Sequence, residues 1–138
     1  MKTSFLLIVA FTLFISNPIA SQDLTQKQLE REKNKVEIYT PNEKDSIQMS
    51  FYNQANKMGL SEKNREKYNR IITDFVFDMK RVNDKDKDLS AEEMEEKLLK
   101  LEVKSNNKVK QILNQEQFEK HKKVFGDLVS DAIIKLKK

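Results

Sequence analysis

Cysteine and tryptophan are both absent from this chain of 138 residues, which also contains only 2 glycines, 2 prolines and 1 histidine. Without cysteine there is no disulfide framework, no thiolate metal site and no cysteine nucleophile. Sheets and long loops usually need more glycine and proline for their turns, so the scarcity favours helices joined by short connections. We expect the single histidine, His121, to be a partly buried structural residue and not a metal ligand or a catalytic base.

The common signatures of enzyme chemistry are missing as well. The chain has no glycine-rich phosphate loop and no G-x-S-x-G nucleophile elbow. A net charge of +4 is too small to indicate a nucleic-acid partner by itself. We therefore expect a binding protein, not an enzyme, with no cofactor, no metal and no nucleic-acid partner.

One acidic segment leaves a question open. From Asp84 to Glu95, carboxylates occupy positions 1, 3, 5, 9 and 12 of a twelve-residue loop, as in a calcium site. The sixth position is Leu89, where the sharp turn of such a loop requires glycine. An ordinary loop followed by a capped helix explains the same residues, so the sequence does not decide whether this segment binds calcium.

Residues 1–21 have the three-part layout of a secretory signal peptide. Lys2 supplies a positive start, residues 5–15 are an almost unbroken apolar run, and Ala20 and Ser21 are small residues suited to cleavage. The run is about half the ~20 residues that a membrane-spanning helix needs, although an uncleaved N-terminal anchor is the alternative. We expect cleavage near Ala20 or Ser21, and a periplasmic or otherwise secreted mature chain without a membrane span.

Apolar residues at helical spacing predict an all-α fold for the rest of the chain. Residues 22–40 are polar and predict an N-terminal arm or a weak helix, whereas residues 41–138 predict a helical domain. Helices over 61–83 and 90–113, joined by a short charged loop, are expected to pair as an antiparallel αα-hairpin. Because 35% of the residues are charged, long amphipathic helices around a thin core, and hence an elongated molecule, fit the composition.

Capping residues set the expected helix ends. Ser61 and Ser90 are suited to start helices, and Gly59 is suited to the left-handed conformation that closes one. Asn114 and Gln117 form a further cap within what is either a continuous or a kinked helix towards the C-terminus.

Three apolar residues lie where a two-layer helical fold does not need them. At about 100° per residue, Phe77 lies about 180° from the apolar stripe of its helix, and Leu99 and Val103 adjoin each other opposite theirs. We expect Phe77, Leu99 and Val103 to contact a dimer partner or a client protein. The alternatives are packing on another helix of the same chain, or isolated exposure. Near Leu99 and Val103 in sequence are the lysines Lys97, Lys100, Lys104, Lys108 and Lys110.

Two helix starts resemble the L-T-x-x-Q boxes of the Spy/CpxP family. The first is Leu60-Ser61-Glu62-Lys63-Asn64, and the second is Leu113-Asn114-Gln115-Glu116-Gln117, followed by the aromatic Phe118. The order of leader, helix, box, long helix, charged turn, helix, box and final helix also fits, over residues 45 to 130. Asparagine replaces the first glutamine, and serine and asparagine replace the threonines, which keeps the capping ability.

The resemblance implies a periplasmic, antiparallel dimer shaped like a shallow cradle. Some members of that family hold unfolding proteins without ATP, and others damp envelope-stress signalling or sense metals. The histidine-rich sequence associated with metal sensing is absent here. The first hypothesis is therefore a homodimeric chaperone-like or envelope-stress binding protein whose partners are unfolded clients. The alternative is a dedicated regulatory or structural partner of one envelope protein.

Overall fold

A computed structural model describes residues 24–138, so the predicted signal peptide lies outside the described residues. Within residues 24–138 there are five α-helices, one short 3-10 helix and no strand, which confirms the all-α prediction for this part of the chain. The α-helices are α1 (Gln26–Asn34), α2 (Pro41–Lys57), α3 (Glu62–Met79), α4 (Ala91–Val109) and α5 (Gln115–Leu136). The 3-10 helix, Lys85–Lys87, lies between α3 and α4.

Side-chain caps start all five helices. The capping residues are Thr25, Thr40, Ser61, Ser90 and Asn114. Each of their side chains accepts a hydrogen bond from the backbone N–H three residues later, which satisfies one of the free donors of the first turn. Four starts are complete capping boxes, and the start at Ser61 has only the forward bond.

Two predicted boundaries need correction. The helix predicted over 61–83 ends at Met79, and a turn follows it. The segment predicted as one continuous or kinked helix is two helices, because α4 ends at Val109 and the capping box of Asn114 starts α5. Gly59 does adopt the expected left-handed conformation after α2, with a φ of 61°.

The core lies where α2, α3, α4 and α5 meet. Helix α3 packs on α4, α4 packs on α5, and α2 packs on α5. The Phe125 ring is central, with its centroid 4.4 Å from that of Phe75 and 6.2 Å from that of Phe51. Leu98 of α4 is also fully buried in this cluster. The packed side chains fix which faces of α3 and α4 point outwards, and those faces carry the residues that sequence reasoning singled out.

Candidate functional site

The outward face of α4 carries two adjoining apolar side chains. Leu99 is 42% exposed and Val103 is 59% exposed, whereas Leu98 and Val109 on the inward face are fully buried. Because Leu99 and Val103 are four residues apart on a helix, their side chains lie side by side. The structure therefore places this pair on the surface, and a packing role within residues 24–138 does not account for them.

The lysines of α4 form a stripe beside this apolar pair. Lys97, Lys104 and Lys108 recur at spacings of seven and four residues and are exposed, so they share one side of the helix. Helical geometry puts this stripe about 100° to 140° around the axis from Val103 and about 140° to 180° from Leu99. Lys100 lies between Val103 and the stripe and pairs with Glu96 at 2.6 Å. Helix α4 thus carries exposed apolar contact and positive charge on neighbouring sides, with Lys100 between them.

Phe77 has a different setting from the pair on α4. Its side chain is 41% exposed, and the Arg31 guanidinium of α1 lies over its ring, with the Cζ atom 4.0 Å from the ring centroid. The cleft that Phe77 lines is built from α1 and from residues 77–84, and no residue of α4 lines it. The sequence placed Phe77 on the outer face of α3, but it gave no sign that a basic residue of the N-terminal arm covers the ring.

Further apolar residues are exposed on three other helices. Leu29 is exposed on α1, and Met49 and Tyr52 are exposed neighbours on α2. Ile134 on α5 is also exposed and was missed. The signal was present, because Ile134 lies about 180° from the buried Phe125 at the helical repeat. Each of these positions is a possible contact surface, and none is joined to the lysine stripe of α4 by a described contact.

The first of the two box segments closes the end of the bundle where α2 meets α3. Leu60 is buried, and the Ser61 hydroxyl oxygen accepts from the backbone N–H of Asn64 at 3.3 Å. The Asn64 side chain does not return to its own cap. Its Nδ2 donates to the backbone carbonyl of Ile112 at 3.3 Å, across 48 residues of sequence and next to the second box.

The second box segment makes the reciprocal contact. Leu113 is buried, and Asn114 and Gln117 form a complete capping box. The Nε2 atom of Gln117 also donates to the backbone carbonyl of Met58 at 2.8 Å, two residues before the first box. The last amide of each box is thus bonded to the backbone that precedes the other box. Sequence reasoning treated the boxes as caps and missed this cross-connection, because no local pattern reports a contact over 59 residues.

Behind the boxes, His121 joins three helices through a buried hydrogen-bonded chain. The sequence predicted partial burial, but the side chain is fully buried, with 0% exposure. Its Nε2 lies 2.9 Å from Oδ1 of Asn106 on α4, and its Nδ1 lies 3.0 Å from the Tyr68 hydroxyl on α3. Since an amide oxygen can only accept, Nε2 carries the hydrogen, and Nδ1 accepts from the Tyr68 hydroxyl. The ring also stacks on Phe125 at 4.7 Å.

Burial keeps the side chains of this hydrogen-bonded group uncharged. Loss of hydration lowers the pKa of His121 to about 4 and raises the pKa of the Tyr68 hydroxyl above its usual value. At neutral pH the imidazole is therefore neutral and the phenol is protonated. Neither group is exposed to a ligand in solution, since both side chains have 0% exposure. The arrangement connects α3, α4 and α5 and fits the structural role that we expected for His121.

The acidic segment after α3 is used as an interhelical loop. The carboxylate of Asp84 is buried and accepts from Nε of Arg81 at 3.1 Å. Glu93 is engaged in the capping box of Ser90, and Asp88 adopts the left-handed conformation, with a φ of 46°. In the described range 24–138, no group of three or more histidine, cysteine, aspartate or glutamate side chains is arranged to hold a metal ion. The calcium reading of this segment therefore gains no support from the geometry.

The described helices and the comparisons with known proteins add two findings. None of the helices between residues 24 and 138 combines the length and the apolar character required to cross a bilayer. No protein-family model, no curated protein and no solved structure matches this chain, so no family is assigned by comparison.

Proposed function

We propose that this protein is an exported, helical, non-enzymatic binding protein that holds flexible or partly unfolded protein chains, in a chaperone-like or envelope-stress role. The observation that carries the proposal is the exposed pair Leu99 and Val103 on the outer face of α4. Transfer of apolar surface out of water gives about 25 cal/mol per Å², so a small apolar surface gives weak and reversible capture. The neighbouring lysines add attraction for acidic segments of a client.

The resemblance to the Spy/CpxP family is the second ground for the proposal, and in this chain the two boxes contact each other. Asn64 and Gln117, the last residues of the two boxes, bond reciprocally to the backbone before the opposite box. This pairing supports treating the boxes as a matched set and not as two unrelated caps. Export to the periplasm rests on the predicted signal peptide, and the dimeric, cradle-shaped assembly rests on the resemblance.

The test is suppression of aggregation. The purified mature protein is mixed with a chemically unfolded client that aggregates on dilution, and light scattering is followed. We expect suppression by the wild-type protein and a marked loss with Leu99→Asp combined with Val103→Asp. The matched control is Met49→Asp combined with Ile134→Asp, which places the same two negative charges at similarly exposed apolar positions on α2 and α5. Absence of suppression by the wild-type protein at several-fold molar excess would remove the chaperone-like role.

A pull-down from the native envelope separates the two functional hypotheses. A spread of captured proteins that depends on Leu99 and Val103 supports general client binding. One stoichiometric partner supports a dedicated regulatory or structural subunit. Solution scattering of the mature protein tests the assembly in parallel, because the cradle proposal requires an elongated dimer and a compact monomer contradicts it.

A further inference from the structure

A basic cleft lies between α1 and the C-terminal end of α3, away from the outer face of α4. Four basic side chains line it, Arg31 and Lys35 from the N-terminal side and Lys80 and Arg81 from the end of α3. Phe77 contributes an aromatic wall. The cavity volume is about 80 Å³, which is room for a few water molecules or for one small anion.

Positive charge exceeds negative charge in this cleft. Two carboxylates line it beside the four cations, and both are engaged locally. Asp84 is buried and accepts from Arg81 at 3.1 Å, whereas Glu32 is exposed and lies 3.7 Å from the Lys35 ammonium, which also pairs with Glu37 at 2.6 Å. Four cations and two carboxylates leave a formal excess of two positive charges at a partly enclosed site.

The cations of the two elements repel one another. Burial lowers the pKa of Lys80, and the positive charges of Lys44, Lys35 and Arg31 lower it further, while Glu37 acts in the opposite direction. An anion between the two sides would relieve this repulsion and would be attracted by both. The geometry alone supports the same conclusion, because basic residues from two separate helical segments converge on one cleft.

Arg31 is placed to bind an oxyanion. Its guanidinium lies over the Phe77 ring, with Cζ 4.0 Å from the centroid. A cation–π contact restrains a guanidinium without using its N–H donors. Those donors can pair with phosphate or carboxylate oxygens through two parallel hydrogen bonds.

We propose that this cleft binds a small phosphate anion, either inorganic phosphate or the phosphate of a monoester, held between Arg31 and Lys35 on one side and the end of α3 on the other. A bound anion would also fasten α1 to the bundle. Helix α1 has no buried residue of its own, so its attachment depends on contacts such as Arg31 with Phe77. This inference is independent of client binding on α4.

The test is a phosphate titration of the mature protein followed by amide NMR, at constant ionic strength maintained with chloride. We expect saturable shifts confined to α1 and residues 77–84. Because a charge-assisted hydrogen bond contributes strongly to binding, Arg31→Gln should weaken phosphate binding by about tenfold. Lys35→Gln should weaken it as well. The matched control is Lys100→Gln, which removes the same charge from the exposed face of α4 and should leave the affinity within about twofold.

Phenyl phosphate distinguishes the two sources of the anion. If phenyl phosphate binds more tightly than inorganic phosphate and Phe77→Leu removes the gain, the ligand is a phosphate monoester. If the two affinities are equal, the ligand is inorganic phosphate. Two outcomes would overturn the proposal. One is the absence of saturable shifts up to tens of millimolar phosphate. The other is an equal loss of affinity in Arg31→Gln and Lys100→Gln, which would indicate attraction to the overall positive charge.

Discussion

Acid is expected to destabilise the helical bundle through His121, the one histidine of the chain. The folded protein holds the imidazole neutral, with a pKa of about 4, because the ring is buried. In the unfolded chain the ring has its ordinary pKa, about 6.5. Between these values the unfolded chain binds a proton that the folded protein does not. This contribution to stability is therefore fully present above about pH 6.5 and is lost as the pH falls towards 4.

The size of the effect follows from the separation of the two pKa values. One pKa unit corresponds to about 1.4 kcal/mol, so the free energy of unfolding should fall by about 2 kcal/mol between pH 7.5 and 5, and by about 3 kcal/mol at pH 4. A domain of this kind is stable by about 5 to 15 kcal/mol in total. A single buried ring thus controls a substantial share of stability in mildly acidic solution.

The perturbation that isolates this effect is His121→Gln. Glutamine can still accept from Tyr68 and donate to Asn106, but it does not titrate. Because the chain has no tryptophan, urea unfolding is followed by circular dichroism at 222 nm, from pH 7.5 to 5 at fixed salt. The measured quantity is the loss of unfolding free energy in the wild-type protein minus the loss in the variant. We expect a difference of about 2 kcal/mol.

The titration of carboxylates does not affect this comparison between the wild-type protein and the variant. The Lys135 ammonium and the Thr40 backbone N–H lower the pKa of Glu43 to about 2 in the folded protein. The stability that this carboxylate contributes is present above its pKa in the unfolded chain and is lost only as the pH falls below that pKa. Such terms are also common to both proteins and cancel in the difference. Equal losses in wild-type protein and variant would refute the reasoning. So would an NMR titration of the His121 ring in the folded protein with a midpoint near 6.5, a measurement that needs no variant.

Five further substitutions test the local structure by urea unfolding at pH 7.5. Gly59→Ala should lower the free energy of unfolding by about 1 kcal/mol, because φ is positive there. Gly126→Ala should raise it by up to about 1 kcal/mol, because Gly126 lies in a helix and the added Cβ meets no neighbouring group within 4 Å. A change of the same sign in both variants would contradict this account. Gln117→Ala should cost about 1–2 kcal/mol by removing two contacts, and Gln115→Ala should be near neutral. Phe125→Ala should cost about 3–5 kcal/mol, and a loss below about 1 kcal/mol would contradict its central place in the core.

Residues close in sequence determined most of the secondary structure. The caps at Ser61 and Ser90 and the left-handed Gly59 were predicted because a helix end depends on a few neighbouring side chains. The outward positions of Leu99 and Val103 followed from the helical repeat alone. The break between α4 and α5 was missed, because the cap at Asn114 has the same local sequence pattern in a kinked helix and at the start of a new one.

Contacts between distant segments were decided only by the tertiary structure. The complete burial of His121 depends on Tyr68, 53 residues away, and the cover over Phe77 depends on Arg31 in a different helix. The sequence determined which faces of the helices are apolar and where each helix starts. Packing decided which polar groups meet, because hydrogen bonds and charge pairs across 40 to 60 residues leave no periodic signal in the chain.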